Sequence, residues 1–137
     1  MTYIFDLDGT LSDSRHRDEY AQRGEWDTFH GLAYLDKPRK DVEALYRILS
    51  VKESVIILTG RTEKYREATR IWLNRFNFMY YELIMRPNGN YMKSPDWKLG
   101  VLSSIKSTTM VFDDRKDIVM KLLENNIPAI QVAEYGD

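Results

Sequence analysis

The chain has 137 residues, 43% hydrophobic and 30% charged, with a formal net charge of −1. These values fit one globular domain with a hydrophobic core; they exclude a disordered chain and provide no overall positive field to attract nucleic acid. Cysteine is absent, which removes disulfides, thiolate metal sites and cysteine nucleophiles, and no apolar run reaches the roughly 18–20 residues of a membrane span.

Met1-Thr2-Tyr3-Ile4-Phe5 leads straight into an acidic motif, so no signal peptide is expected and a reducing, cytoplasmic setting fits. Thr2–Asp6 reads as the first strand. It ends in Asp6-Leu7-Asp8-Gly9-Thr10, where two carboxylates two residues apart lie on one side of extended chain and Gly9 permits a tight turn. Carboxylates this close repel unless they share a cation or a proton. Ser12–Lys40 follows, carrying Arg15, His16, Arg17, Tyr20, Trp26, Phe29, His30 and Tyr34. Interleaved aromatics and cations suit base stacking and phosphate binding; for Trp26 and Phe29, anchoring the flap on the core is the reading preferred to base stacking. Its length predicts a flap or small helical insert rather than a folded cap domain.

Val42, Leu45, Tyr46 and Leu49 then fall on one helical face. Strand Ser54–Thr59 ends in Thr59-Gly60-Arg61. Tyr65, Ala68, Trp72 and Phe76 form the apolar face of the next helix, whose Lys64, Arg66, Arg70 and Arg75 read as a solvated side. Strand Glu82–Met85 passes into the turn composition Arg86-Pro87-Asn88-Gly89-Asn90-Tyr91. Val101, Leu102 and Ile105 stripe a third helix, and strand Thr109–Asp113 ends in Asp113-Asp114-Arg115. Ile118, Val119, Leu122 and Leu123 stripe a fourth helix that stops at Asn125-Asn126 before Pro128, ahead of strand Ala129–Val132.

Strands alternating with helices, with no repeat or linker, predict a single α/β domain over residues 1–137 with a parallel sheet. Ligands bind such sheets beyond the carboxyl ends of the strands, where Asp6 and Asp8, Thr59-Gly60-Arg61 and Asp113-Asp114 converge. An all-oxygen cluster of this kind suits Mg²⁺ better than zinc or copper.

Asp6-Leu7-Asp8-Gly9-Thr10, then Thr59, Lys98 and Asp113-Asp114, resemble in order the four motifs of the haloacid dehalogenase superfamily, and the second aspartate is that of its phosphatase branch. The resemblance implies a Rossmann-like fold with a five-stranded parallel sheet in the order 3-2-1-4-5, flanked by helices and carrying a minimal cap. A narrower similarity links Ile57-Leu58-Thr59-Gly60-Arg61, Val111-Phe112-Asp113-Asp114-Arg115 and the ending Ile130–Asp137 to the 3′-phosphatase domain of phage polynucleotide kinase/phosphatase. In that family two arginines serve the site, and Arg17 and Arg61 stand at the matching positions. The family's acidic residue four before the motif lysine is Ser94 here, with Asp96 at a different offset; Lys93 is a second candidate lysine.

The resemblance implies Asp6 as nucleophile, forming an aspartyl-phosphate, and Asp8 as general acid and base. Mg²⁺ would be held by Asp6, the Asp8 carbonyl and Asp114, with Asp113 beside it. Thr59, Gly60, Lys98, Arg61 and Arg17 would bind phosphate. The expected substrate is a phosphorylated nucleotide or oligonucleotide end, with no membrane association and no protein partner evident, in the cytoplasm (the host cell's if the chain is phage-encoded). A 5′-nucleotidase, a small-metabolite phosphatase and a non-catalytic partner module of a nucleic-acid repair ligase are the alternatives. No Gly-x-x-x-x-Gly-Lys-Ser/Thr loop occurs, so a kinase activity has no basis.

Overall fold

A computed structural model describes residues 1–134; the last part of the ending used above, Tyr135-Gly136-Asp137, lies outside the described residues. In chain order the elements are β1 (Thr2–Phe5), β2 (Ser12–Asp13), α1 (Asp18–Gln22), α2 (Trp26–Gly31), β3 (Lys37–Pro38) and α3 (Lys40–Ser50). They continue with β4 (Ser54–Thr62), α4 (Arg66–Arg75), β5 (Glu82–Arg86), α5 (Ser94–Ser103), β6 (Thr108–Asp113), α6 (Lys116–Glu124) and β7 (Ala129–Gln131).

β1 lies at the centre because both of its faces are apolar: Ile4 and Phe5 have no exposed surface. Around it runs a five-stranded sheet in the order β5-β4-β1-β6-β7, every pairing parallel. This is the expected haloacid dehalogenase-type order. The two-residue pleat then sorts the core. Phe5, Val55, Ile57 and Phe112 face one layer with Tyr46 of α3 and Trp72 and Leu73 of α4. Ile4, Ile56, Leu58 and Val111 face the other, with Trp97 and Leu102 of α5 and Ile118 and Leu122 of α6.

Three details differ from the pattern reading. Ala68 is exposed, and α4 turns Thr69, Trp72 and Leu73 inward instead. The Trp72 indole N–H donates to the Asp36 carbonyl at 2.9 Å and Thr69 meets Arg61, so polar contacts set the helix's rotation as much as its apolar stripe does. Leu123 is half exposed. β4 runs past Thr59 to Thr62, with a register shift against β5 over that stretch. α6 ends as expected, Asn126 adopting φ +60° ahead of Pro128.

Between β1 and α3 the chain forms a small insert. β2 and β3 pair antiparallel at its neck, Ser12 against Pro38 and Asp13 against Lys37, and the short helices α1 and α2 form its body. Arg39 fastens the neck: its amide donates to Leu11 O at 2.8 Å and its buried guanidinium donates to Gly9 O at 2.9 Å. The insert therefore stands directly over the Asp6–Thr10 turn.

Phe5 stacks on Phe112 at 4.6 Å and meets Tyr46 edge-on at 5.0 Å. Phe5→Ala is expected to cost about 3–5 kcal/mol of stability, measured as a lowered denaturant midpoint with an unchanged slope; a loss below about 1 kcal/mol would contradict its place at the centre of the core.

Candidate active site

Asp6 follows β1, and its amide donates to Phe112 O of β6 at 3.0 Å, which fixes its carboxylate between two strand ends. Oδ1 accepts from the buried Lys98 ammonium at 2.8 Å, and the same ammonium donates to Asp113 Oδ2 at 2.7 Å. The Thr10 hydroxyl stands between Asp6 Oδ2 at 3.1 Å and Asp114 Oδ1 at 3.2 Å; having one hydrogen, it serves one at a time. Asp113 Oδ1 accepts the Arg115 amide at 3.0 Å. Gly9 is required here for two reasons: its φ is +80°, and a Cβ would lie 2.5 Å from Asp114 Oδ2.

Oxygens of Asp6, Asp113 and Asp114 all lie within 4.8 Å of one another. Three carboxylates facing one ammonium leave a surplus of negative charge in a buried place. Burial is the main cause that lifts the Asp6 carboxyl to about 7; Lys98 opposes the rise and Asp114 adds to it. Asp113 is lifted to about 6 by burial and by Asp6, and Asp114 is raised by burial and by Asp113. A compact set of hard oxygen donors whose mutual repulsion is incompletely neutralised fits a hard divalent cation.

Asp8 has different surroundings. Burial would raise its carboxyl, but the Arg61 and Arg17 guanidiniums outweigh burial and hold it well below the usual carboxylate range. Arg61 Nε reaches Asp8 Oδ2 at 3.0 Å and Nη2 reaches Oδ1 at 2.7 Å, while Nη1 donates to the Thr69 hydroxyl at 3.1 Å. Arg17 also donates to Asp8 Oδ1. Asp6 and Asp8 share one strand end yet have separate counter-charges.

Arg17 has no exposed surface. It forks onto Asp36, Nε to Oδ1 at 2.8 Å and Nη2 to Oδ2 at 2.6 Å, donates to Phe29 O at 3.2 Å and stacks over the Phe29 ring at 4.2 Å. It therefore sits behind Asp8 instead of facing the cleft, contrary to the expectation that it meets the substrate phosphate. The reason is Asp36, a buried carboxylate that sequence reasoning missed: a lone aspartate between Leu35 and Lys37 belongs to no motif. Thr59 is buried with its hydroxyl accepting the Arg61 amide at 3.2 Å, Gly60 and Lys98 line the cleft, and Lys93 stands exposed at the rim. Lys98 is thus the lysine placed at Asp6.

The cleft above these groups holds about 730 Å³. Phe29 is buried and anchors the insert, whereas Trp26 is 55% exposed, edge-on to Phe29 and stacked on His30 at 6.3 Å. Asp27 ties the insert to the far wall through Lys64 at 3.1 Å and the Tyr65 hydroxyl. Burial lowers His30 to about 4, so its ring is neutral at pH 7. Among the described residues no helix is long and apolar enough to cross a membrane.

The chain matches the family described as polynucleotide kinase PNKP phosphatase domain over residues 1–137. A chain in the structure of the Pnkp1/Rnl/Hen1 complex is similar with a TM-score of 0.82 and 30% identity, over 99% of this chain and 46% of that one. A chain of the Pnkp1/Rnl/Hen1 RNA repair complex gives a TM-score of 0.82 at 31% identity, over 99% of this chain and 43% of its own. The chain thus spans less than half the length of these two. A haloacid dehalogenase-like family hydrolase from Streptococcus pneumoniae has a TM-score of 0.65 at 14% identity, over 99% of this chain and 86% of that one, a likeness of fold alone. No curated protein matches the sequence.

The raised Asp6 pKa makes a stability prediction. Between the unfolded value of roughly 4 and the folded value of about 7, the folded state keeps a proton that the unfolded state releases, so this group's contribution falls as pH rises through that window. Asp6→Asn is expected to raise the thermal midpoint of metal-free protein at pH 8, with the gain shrinking towards pH 4. Unfolding scans of both proteins in chelator at pH 5 and 8 measure it; a gain equal at the two pH values would contradict the assignment.

Proposed function

The chain belongs to the polynucleotide kinase PNKP phosphatase domain family, of the haloacid dehalogenase superfamily, and we propose that it is a Mg²⁺-dependent phosphomonoesterase that removes 3′-phosphate from nucleic-acid ends or nucleotides. The observation that carries this reading is the electrostatic division of Asp6 from Asp8: one carboxylate among carboxylates and Lys98, the other between two guanidiniums.

Mg²⁺ would be held by Asp6, the Asp8 carbonyl and Asp114, with Asp113 beside it; when bound, it neutralises phosphoryl oxygens and lowers the Asp6 pKa. Asp6, oriented by Lys98 and Thr10, attacks phosphorus through a carboxylate oxygen and forms an aspartyl-phosphate as the ester bond breaks. The Gly60 amide, the Thr59 hydroxyl and Lys98 are donors to the non-bridging oxygens. Asp8 gives a proton to the leaving alkoxide and then takes one from the water that hydrolyses the acyl-phosphate.

Asp8 must be protonated for the first of those steps, and two arginines oppose that. A substrate dianion resolves the conflict by competing for Arg61, which lines the cleft where Arg17 does not. As Arg61 turns to the phosphoryl oxygens, Asp8 keeps Arg17 alone and its proton affinity rises. Arg17 is accordingly proposed as a positioning residue for Asp8. The expectation of no protein partner does not carry over: the similar chains come from assemblies named for Pnkp1, Rnl and Hen1, and a place in an RNA repair assembly is proposed for this chain.

With Mg²⁺, Asp6→Asn should lower kcat on an aryl phosphate by a factor on the order of 10³ or more in a folded protein. Chelator should abolish wild-type turnover, and Ca²⁺ should bind without restoring it, its larger shell loosening the site. Activity that survives excess chelator would remove the metal from the mechanism.

The substrate is tested by pairing 3′- with 5′-phosphorylated oligonucleotides, with a 3′ preference expected and a 5′ preference overturning it. Trp26 is exposed at the cleft, so Trp26→Ala should raise KM for nucleotides roughly five- to a hundredfold, the worth of a stacked base, and spare an aryl phosphate. Equal losses on both would reduce Trp26 to packing.

A further inference from the structure

Among the described residues two buried side-chain polar atoms have no hydrogen-bond partner, Thr108 Oγ1 and His30 Nδ1. Thr108 opens β6, at the end of that strand remote from Asp113. His30 differs, because its ring lines the active-site cleft. No described group bonds either ring nitrogen; Nδ1 is buried, and Nε2, which is not, opens on the cleft. Packing alone does not account for an imidazole here. The ring stacks on Trp26 at 6.3 Å and meets Phe29 at 5.1 Å and Tyr65 at 4.7 Å. A phenylalanine would fill that aromatic setting without the cost of unpaired polar atoms. Burial foremost keeps the ring neutral at pH 7, so it carries one donor and one acceptor. A hydroxyl, which can donate or accept, pairs with Nε2 in either tautomer.

The position of the ring narrows the choice of hydroxyl. Phe29 connects His30 to the groups around Asp8: Arg17 stacks over the Phe29 ring at 4.2 Å and donates to Asp8. Asp8 is also among the charges that act on the His30 ring. Trp26, exposed at the cleft, is a neighbour of His30 in its own right. The cleft wall thus presents Trp26, then His30, then Asp8. In the phosphatase reading Trp26 stacks the base and Asp8 protonates the leaving 3′-oxygen. On the sugar of a nucleotide, the carbon between the one bearing the base and the one bearing the 3′-oxygen carries the 2′ substituent. The order of groups on the wall matches the order of groups on that sugar.

We propose that His30 is a specificity-determining residue whose Nε2 hydrogen-bonds the 2′-hydroxyl of the terminal nucleotide, so that the site prefers ribonucleotide 3′-ends to deoxyribonucleotide ones. This rests on the phosphatase reading above and deepens it by assigning the sugar. A deoxyribose end would face Nε2 with a C–H group, displacing water from the nitrogen and returning no hydrogen bond.

The test compares kcat/KM for two 3′-phosphorylated oligonucleotides that differ only in the sugar of the terminal residue, ribose or 2′-deoxyribose, with an aryl phosphate read alongside. Wild type is expected to prefer the ribose end about three- to tenfold, the usual net contribution of a hydrogen bond between neutral groups. His30→Phe fills the same aromatic setting and should bring that ratio close to one. The ratio is read within each protein, so a change in overall activity cancels. A wild-type ratio near one overturns the proposal whether or not the variant folds. So does a ratio that His30→Phe leaves unchanged, which would make His30 an aromatic spacer between the insert and Tyr65 and nothing more. Failure of the phosphatase reading looks different: wild type hydrolyses none of these, the aryl phosphate included. NMR titration of the wild type, with the His30 ring signals assigned by their loss in His30→Phe, then reads the contact. Shifts of those signals with a ribonucleoside 3′-phosphate and not with its 2′-deoxy counterpart support it; equal shifts, or none, overturn it.

Discussion

Asp8 is an ionised carboxylate shared by two buried guanidiniums, and much of the surrounding architecture exists to keep those three groups together. Arg61 arrives from the end of β4 and Arg17 from the insert. Both are buried against counter-charges, which offset the several kcal/mol that taking a guanidinium out of water costs. Asp36 completes the balance, so two carboxylates face two guanidiniums, and its backbone carbonyl takes the Trp72 indole N–H. The insert is therefore joined to the core by charge as well as by Phe29. An ion-pair network of this kind contributes less to net stability than to a unique arrangement: sliding the insert by one residue would strand a buried charge.

On the other side of the same strand end the balance is deliberately incomplete. Asp6 and Asp113 pair with the Lys98 ammonium, and Asp114 stands in the same cluster with no ion pair to it. Asp8 is satisfied by protein cations, and Asp6 stands in a cluster that calls for one more. That contrast gives two like side chains, two residues apart, opposite shifts in proton affinity, since environment and not residue type sets it.

The small insert decides what can reach the site. Two short helices cover one side of the cleft and leave Trp26 and Tyr91 as exposed aromatics on its lining. Asp27 spans to Lys64 and Tyr65 across the opening.

The sheet and most of the site were legible in the amino-acid order because their signals are local. Short continuous apolar runs mark β1, β4 and β6, turn chemistry marks Gly9, and a strand's direction determines which end delivers Asp6, Thr59 and Asp113. The shape-setting partners were not legible. Nothing near Asp36, Arg39 or Arg86 in the chain marks them as buried, and Arg17 at a motif position looked like a phosphate ligand until Asp36 drew it behind Asp8. Ala68 and Leu123 were misassigned for a related reason: their helices' rotation is set partly by contacts from distant segments, as Trp72 and Thr69 show for α4. Sequence pattern carries whatever depends on neighbours within a few residues. The pairing of buried charges depends on which distant segments meet, so it is decided only when the chain has folded.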